Sequence, residues 1–170
     1  MKLARFLPGH LVALVYWFRF RAAVSPRAEV ELSKNVKLGK GTVIGSFTKV
    51  KASNGPLSIG ARVSIGSSCF LGAGAAGNRI GDDCLISDHV TILNSNYRYD
   101  RLDVPIQQQG ITSKGVDIGR NVWLGSGVIV LDGSTIGDGT IVTPNSVVSG
   151  KLPPNVIAQG NPAKVIFQRR

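Results

Sequence analysis

Aliphatic residues recur along most of this chain at a spacing of six. Counting from Leu32, the series runs Leu38, Ile44 and Val50; after three extra residues it resumes at Ile59, Ile65 and Leu71, and after three more at Ile80, Ile86 and Ile92. A long excursion follows, and the count restarts at Ile118 with Leu124, Val130, Ile136, Val142 and Val148. Sixteen aliphatic residues are thus in phase. The next residue is usually Gly, as at Gly39, Gly60, Gly81, Gly119 and Gly137, and the fourth is small or β-branched, as at Thr42, Val63, Cys69, Cys84 and Thr140. A period of six is neither the two of a half-buried strand nor the roughly 3.6 of a helix. It fits a solenoid whose unit is one short strand and one turn, with the aliphatic residue filling the coil and the Gly avoiding a Cβ clash at the corner. Three such units close a triangular coil, so the phased residues predict about five coils stacked into an all-β parallel helix. The repeat domain is expected over 24–170.

Before the repeat, residues 1–23 read differently. An apolar run from Leu11 to Phe18 falls well short of the roughly 20 residues that span a bilayer. Pro8 suits the first turn of a helix reaching about Arg21. Tyr16, Trp17, Phe18 and Phe20 stand beside Arg19 and Arg21, a mixture suited to an interfacial amphipathic segment. Two roles follow for residues 2–21: packing on the end of the coil, or contact with an anionic membrane.

Charge sharpens the second role. The chain of 170 residues carries 20 Lys and Arg against 10 Asp and Glu. Residues 1–51 hold ten of those bases and only Glu29 and Glu31 as acids, a net +8, which leaves +2 for the remainder. This asymmetry calls for an anionic partner at the N-terminal third. Nucleic acid is not that partner, because aromatics interleaved on a basic face are confined to residues 16–20. Two Cys do not make a disulfide framework, and two Cys with two His do not make a metal site. The expected location is the cytoplasm, with a peripheral station at the inner face of the membrane.

Four motifs carry a family resemblance: Ile118-Gly-Arg-Asn-Val-Trp-Leu-Gly125, Ile136-Gly-Asp-Gly139, Pro153-Pro-Asn-Val156 and Gly160-Asn-Pro-Ala-Lys-Val-Ile166. Over roughly 24–168 the chain resembles the hexapeptide-repeat acyltransferases, which are left-handed parallel β-helices. Within them it is most similar to the maltose, galactoside and capsule or lipopolysaccharide sugar O-acetyltransferases. The resemblance implies a homotrimer, with acetyl-CoA as acyl donor in the groove between neighbouring subunits, a sugar or envelope glycan as acceptor, and no metal. It places coenzyme contacts on Trp123, Ser126, Pro144, Ser149, Gly150 and Lys164, with Arg169 or Arg170 beside the phosphates. The excursion near 97–115 resembles the loop that lines the acceptor pocket, and Asn96, Arg98, Asp100, Arg101 and Asp103 are its candidate sugar contacts. A loop of this length in a compact solenoid is usually functional.

The resemblance also implies a histidine base, five residues after a rung aliphatic and just before the loop. Counted from Ile92, that slot holds Tyr97. Tyrosine side chains titrate near pH 10 and are poor bases at neutral pH. The nearest histidine in sequence is His89, the second candidate for the base. Two functions therefore stand open: a sugar O-acetyltransferase with a substituted base, and a non-catalytic trimeric β-helix that partners a glycan enzyme. A zinc carbonic anhydrase would need three His per site, and a sugar nucleotidyltransferase would need a nucleotide-binding domain ahead of the repeats.

Overall fold

The computed structural model describes residues 8–52 and 54–170. They wind into a left-handed parallel β-helix of triangular section. Face 1 stacks seven parallel strands: Ala23–Val24, Val43–Ile44, Ser64–Ile65, Leu85–Ile86, Trp123–Leu124, Ile141–Val142 and Val156–Gly160. The antiparallel strand Ala163–Gln168 closes that face. Face 2 runs from Glu29–Val30 to Val147–Val148 and face 3 from Val36–Leu38 to Lys151–Leu152, each with six strands. The chain thus completes six coils where the phased residues predict about five.

The difference arises at both ends, where Val24 and Val30 in the first coil and Leu152 in the last point inward outside the phased series. Val30 points inward on face 2, whereas Leu32 lies at the following corner and only packs against the core from outside. A step of six backward from Leu38 lands on Leu32 because that corner is longer than six residues. The other phased positions hold. Ile44, Ile65, Ile86, Leu124 and Ile136 are buried, and the register stacks each on its counterpart in the next coil.

From Val24 to Val30, Ile44 to Val50, Ile65 to Leu71, Ile86 to Ile92, Leu124 to Val130 and Val142 to Val148, the edge between faces 1 and 2 is always crossed in six residues. The edge between faces 3 and 1 keeps the same count, from Leu38 to Ile44 through Leu152 to Ala158. Every irregularity falls on the edge between faces 2 and 3, including the long excursion between Ile92 and Ile118.

The regular edges are locked by close backbone approach. A Cβ on Gly39 would stand 2.3 Å from the Ala61 amide nitrogen, and one on Gly66 would stand 2.8 Å from that of Asp88. Side chains then tie each corner to the next. Asp82, Asp88 and Asp138 accept from the backbone N–H groups of Ala61, Ser67 and Arg120 at 2.9, 2.6 and 2.7 Å. From inside, Thr42 and Thr48 hydroxyls donate to the Gly60 and Gly66 carbonyls at 2.7 and 2.8 Å.

Helix α1 (Gly9–Phe20) begins after Pro8 and ends at Arg21, which adopts the left-handed conformation. Val12 and Tyr16 bury against the first coil, and the Tyr16 hydroxyl donates to the Glu31 carbonyl at 2.7 Å. The helix therefore caps the open end of the core.

Replacing Ile86 by Ala should cost about 2–5 kcal/mol, because a coil fixed at both edges cannot collapse into the cavity. Replacing its neighbour Leu85, which is 46% exposed on face 1, should cost under about 1 kcal/mol. Chemical denaturation of the two variants checks the inward phase.

Candidate functional site

The predicted site residues divide between two edges that flank face 2. The edge between faces 1 and 2 is built from stacked corners. His89 donates its N–H to the Ser67 carbonyl at 3.0 Å, Gly127 to Asp88 at 3.0 Å, and Asn145 to Ser126 at 2.9 Å. His89, Ser126 and Pro144 consequently follow one another down this edge, all exposed. His89 takes the left-handed conformation at φ 59°, the turn position that Gly127 and Asn145 hold in the next two coils. Trp123 sits beside the edge on face 1, half-exposed, with its indole N–H donating to the Ser87 hydroxyl at 3.1 Å. At the bottom, the turn that leads to Lys164 is tied to the same edge, because the Gly160 N–H donates to the Ser146 hydroxyl at 3.0 Å. Lys164 is exposed there, opposite Gln159. Arg169 is directed elsewhere: its guanidinium donates to the Gly139 carbonyl on the edge between faces 3 and 1.

The irregular edge carries the rest. Between Ile92 and Val116 the chain leaves the coil as a two-stranded arm, with Asn96–Tyr97 antiparallel to Ile111–Thr112. Asn96, Tyr97, Arg98 and Asp100 are exposed along it. Arg101 turns onto Asp103 at 2.5 Å, and this guanidinium holds the Asp103 carboxyl below the usual carboxylate range. Gln109 closes the tip, accepting from the Arg101 N–H at 3.0 Å and donating to the Arg101 and Val104 carbonyls, both at 2.7 Å. Ser149 and Gly150 lie at the corner of this same edge two coils below, where a Cβ on Gly150 would meet nothing within 4 Å. Tyr97 and His89 therefore stand on different edges of one chain, separated by the width of face 2.

The residues that root the arm escape a reading of the repeat alone. Asn78 occupies the slot that Val36, Leu57 and Val116 fill at the start of other face 3 strands. It is 5% exposed, accepts from the Val116 N–H at 2.8 Å, and donates to the Leu93 and Gly72 carbonyls at 3.3 and 2.6 Å. One amide thus holds both ends of the excursion. Ser113 donates to the Asn94 carbonyl at 2.9 Å, and Asp132 accepts from the Lys114 and Gly115 N–H groups. The available signal is an Asn where the three other three-residue strands of face 3 begin with Val or Leu. Below these roots a groove of about 480 Å³ opens on face 3, with Arg79 paired to Asp117 at 2.7 Å and Lys114 on its wall.

Cys69 and Cys84 fill interior slots equivalent to those of Thr42 and Thr48, and each thiol donates to a corner carbonyl of the next coil, Ser87 and Gly119, at 3.1 Å. Burial pushes both thiols above their ordinary pKa.

A family model described as "Bacterial transferase hexapeptide (six repeats)" matches residues 115–150. The "Probable acetyltransferase Rv3034c" of Mycobacterium tuberculosis is 33% identical over 181 residues, covering 97% of this chain and 59% of its own. The galactoside O-acetyltransferase of Escherichia coli is 38% identical over 88 residues, covering 51% and 42%. The chain thus spans about half the length of these relatives. The crystal structure of AntD, an N-acyltransferase from Bacillus cereus in complex with dTDP and 3-hydroxybutyryl-CoA, shares the fold at a TM-score of 0.81, with 19% identity over 99% of this chain and 92% of that one.

Asn78→Ala should leave the Val116 N–H buried and unpaired, at a cost of about 1–3 kcal/mol. Trypsin should then cut faster after Arg98 and Arg101; an unchanged cleavage rate would remove Asn78 as the root of the arm. In the folded protein both thiols should resist a disulfide-exchange reagent at about pH 8, since a raised pKa leaves less thiolate, and both should react once denaturant is added.

Proposed function

We propose that this chain, a left-handed β-helix whose residues 115–150 match the hexapeptide transferase model, transfers an acetyl group from acetyl-CoA to a hydroxyl of a sugar or cell-envelope glycan, as a homotrimer. One observation carries the reading. The residues matched to coenzyme contacts, Trp123, Ser126, Pro144 and Lys164, gather along one edge, and a polar arm bearing Asn96, Tyr97, Arg98 and Asp100 stands on another. One chain cannot bring these together; copies packed side by side would set the arm of one against the coenzyme edge of the next. The relatives support the chemistry: the Escherichia coli protein is a galactoside O-acetyltransferase, and AntD was crystallised with an acyl-CoA.

In this reading the acceptor oxygen attacks the thioester carbonyl, a C–O bond forms, the C–S bond breaks, and the hydroxyl proton passes to a base and finally to the departing thiolate. Ser126 and, from the arm edge of the adjacent copy, Ser149 offer hydroxyls to the pantetheine amides, and Lys164 offers its ammonium to the phosphates. The acceptor sugar lies against the arm. Arg98 and Asp100 bind it, whereas Arg101 is already turned to Asp103. Tyr97 stands in the base position, so the parent protein is a slow enzyme. His89 lies on the coenzyme edge, where a neighbouring arm would approach.

The test is acetyl transfer from labelled acetyl-CoA to one galactoside by the parent, Tyr97→His and His89→Ala proteins, alongside sedimentation and acetyl-CoA binding. Tyr97→His should raise the rate by roughly a hundredfold or more, the span of general-base catalysis, and His89→Ala should leave it unchanged. A fast parent silenced only by His89→Ala would move the base to the coenzyme edge. Acetyl-CoA bound by all three without transfer would make the protein a non-catalytic scaffold, and a monomer that binds acetyl-CoA would remove the site between copies.

A further inference from the structure

Helix α1 is apolar on the wrong side as well as the right one. Its inner face is accounted for: Val12 and Tyr16 are buried on the first coil, Tyr16 stacks on Phe20 with ring centroids 5.8 Å apart, and burial pushes the Tyr16 hydroxyl far above its ordinary pKa. The outer face of a helix docked in this way is ordinarily polar. Here it presents Phe18 at 75% exposure, Leu14 at 50%, Trp17 at 48%, Leu11 at 41% and Val15 at 40%. Beside it, an apolar furrow of about 430 Å³ runs between Leu14 and Trp17 of the helix and Ala22, Val24 and Pro26 of the first coil. Contiguous exposed apolar surface of this kind marks a docking face.

The charges around it select the partner. Arg19, Arg21, Arg27, Lys34, Lys37 and Lys40 are all exposed on the helix end and the first coil. The acids of the same stretch are occupied within the chain. Glu29 lies 3.5 Å from Lys49 and 3.6 Å from Lys51, and the Glu31 carboxylate accepts from the Ala52 N–H at 3.0 Å. A second copy meeting this face would bring two basic rims together, which electrostatic complementarity disfavours. An anionic lipid surface matches both features, with apolar and aromatic side chains entering the acyl boundary and arginines at the headgroups. At 12 residues and about 1.5 Å of rise per residue, α1 is far too short to cross a bilayer, and no helix among the described residues is long and apolar enough to do so.

We propose that α1 and the basic rim of the first coil form a membrane-docking surface for anionic lipid, with the helix lying in the plane of the interface and the solenoid standing on its capped end. This goes beyond the acetyl-transfer reading and does not depend on it, since vesicle binding and acetyl transfer are read separately.

The test is co-sedimentation of the full chain with phosphatidylcholine vesicles, with and without phosphatidylglycerol, at low and high salt. Binding should require phosphatidylglycerol and fall with salt. Arg19→Gln with Arg21→Gln should weaken it about tenfold or more, from roughly fivefold per charge. Leu14→Ser with Phe18→Ser should weaken it by a similar factor, from the lost apolar insertion. These side chains are exposed, so the melting temperature of each variant should match the parent and separate lost docking from lost fold. The proposal is overturned if the parent ignores anionic vesicles or if both double variants bind as the parent does. It is equally overturned if the serine variant shifts the sedimentation mass while vesicle binding stays constant, because a second copy would then be what covers the face.

Discussion

The structure depends on one constraint: each coil must dock its backbone onto the next at a fixed height, through parallel strand pairing, with no room for a Cβ at the corners that touch. The distances at Gly39 and Gly66 make this concrete, because any side chain there would overlap backbone of the following coil. Hydrogen bonds from Asp82, Asp88 and Asp138 outside and from Thr42, Thr48, Cys69 and Cys84 inside fasten the same corners. Two edges are therefore held to six residues per crossing. A one-residue insertion at either would turn the aliphatic residue of the following strand out of the core until the irregular edge resets the count.

What the constraint leaves free is where chemistry can be placed. The third edge tolerates short and long crossings, and the arm grows from it. Its freedom is bounded at the roots, where Asn78 ties Leu93 to Val116 and Asp132 holds the returning strand. An excursion longer than a full coil can then leave the solenoid without disturbing the rungs above and below. The other free place is the N-terminal end of the described coils. There the core is covered by α1 through Val12 and Tyr16, and the outer side of that cover is available for another surface.

This division explains which features the sequence made legible. The inward ladder follows from a strict count, so the fold, the triangular section and the buried role of Cys69 and Cys84 could be read directly. The first coil was misphased at Leu32 because the irregular edge has no fixed length, and a step of six fails wherever it crosses that edge. The helix bounds at Pro8 and Arg21 were readable from local chemistry: a proline at the start and an apolar run that ends between two arginines. The arm's anchors were not, because the contacts of Asn78 depend on which residues two corners bring alongside it, 15 and 38 positions away.

The same reasoning bears on the separation of His89 from Tyr97. Corners on the edge between faces 1 and 2 repeat every coil, and His89 holds a left-handed turn position that Gly127 and Asn145 hold below it. A side chain at this position projects from the stack without entering any rung, so folding limits it through the left-handed backbone and not through packing. Tyr97 is equally free, being one residue of a two-residue strand whose side chains are both exposed. Neither residue is needed by the solenoid, and within one chain face 2 keeps them apart. A single ligand bound to one chain would therefore meet one of these two side chains, on one edge or the other. The coil fixes the spacing of each edge and leaves the chemistry displayed there to be chosen residue by residue.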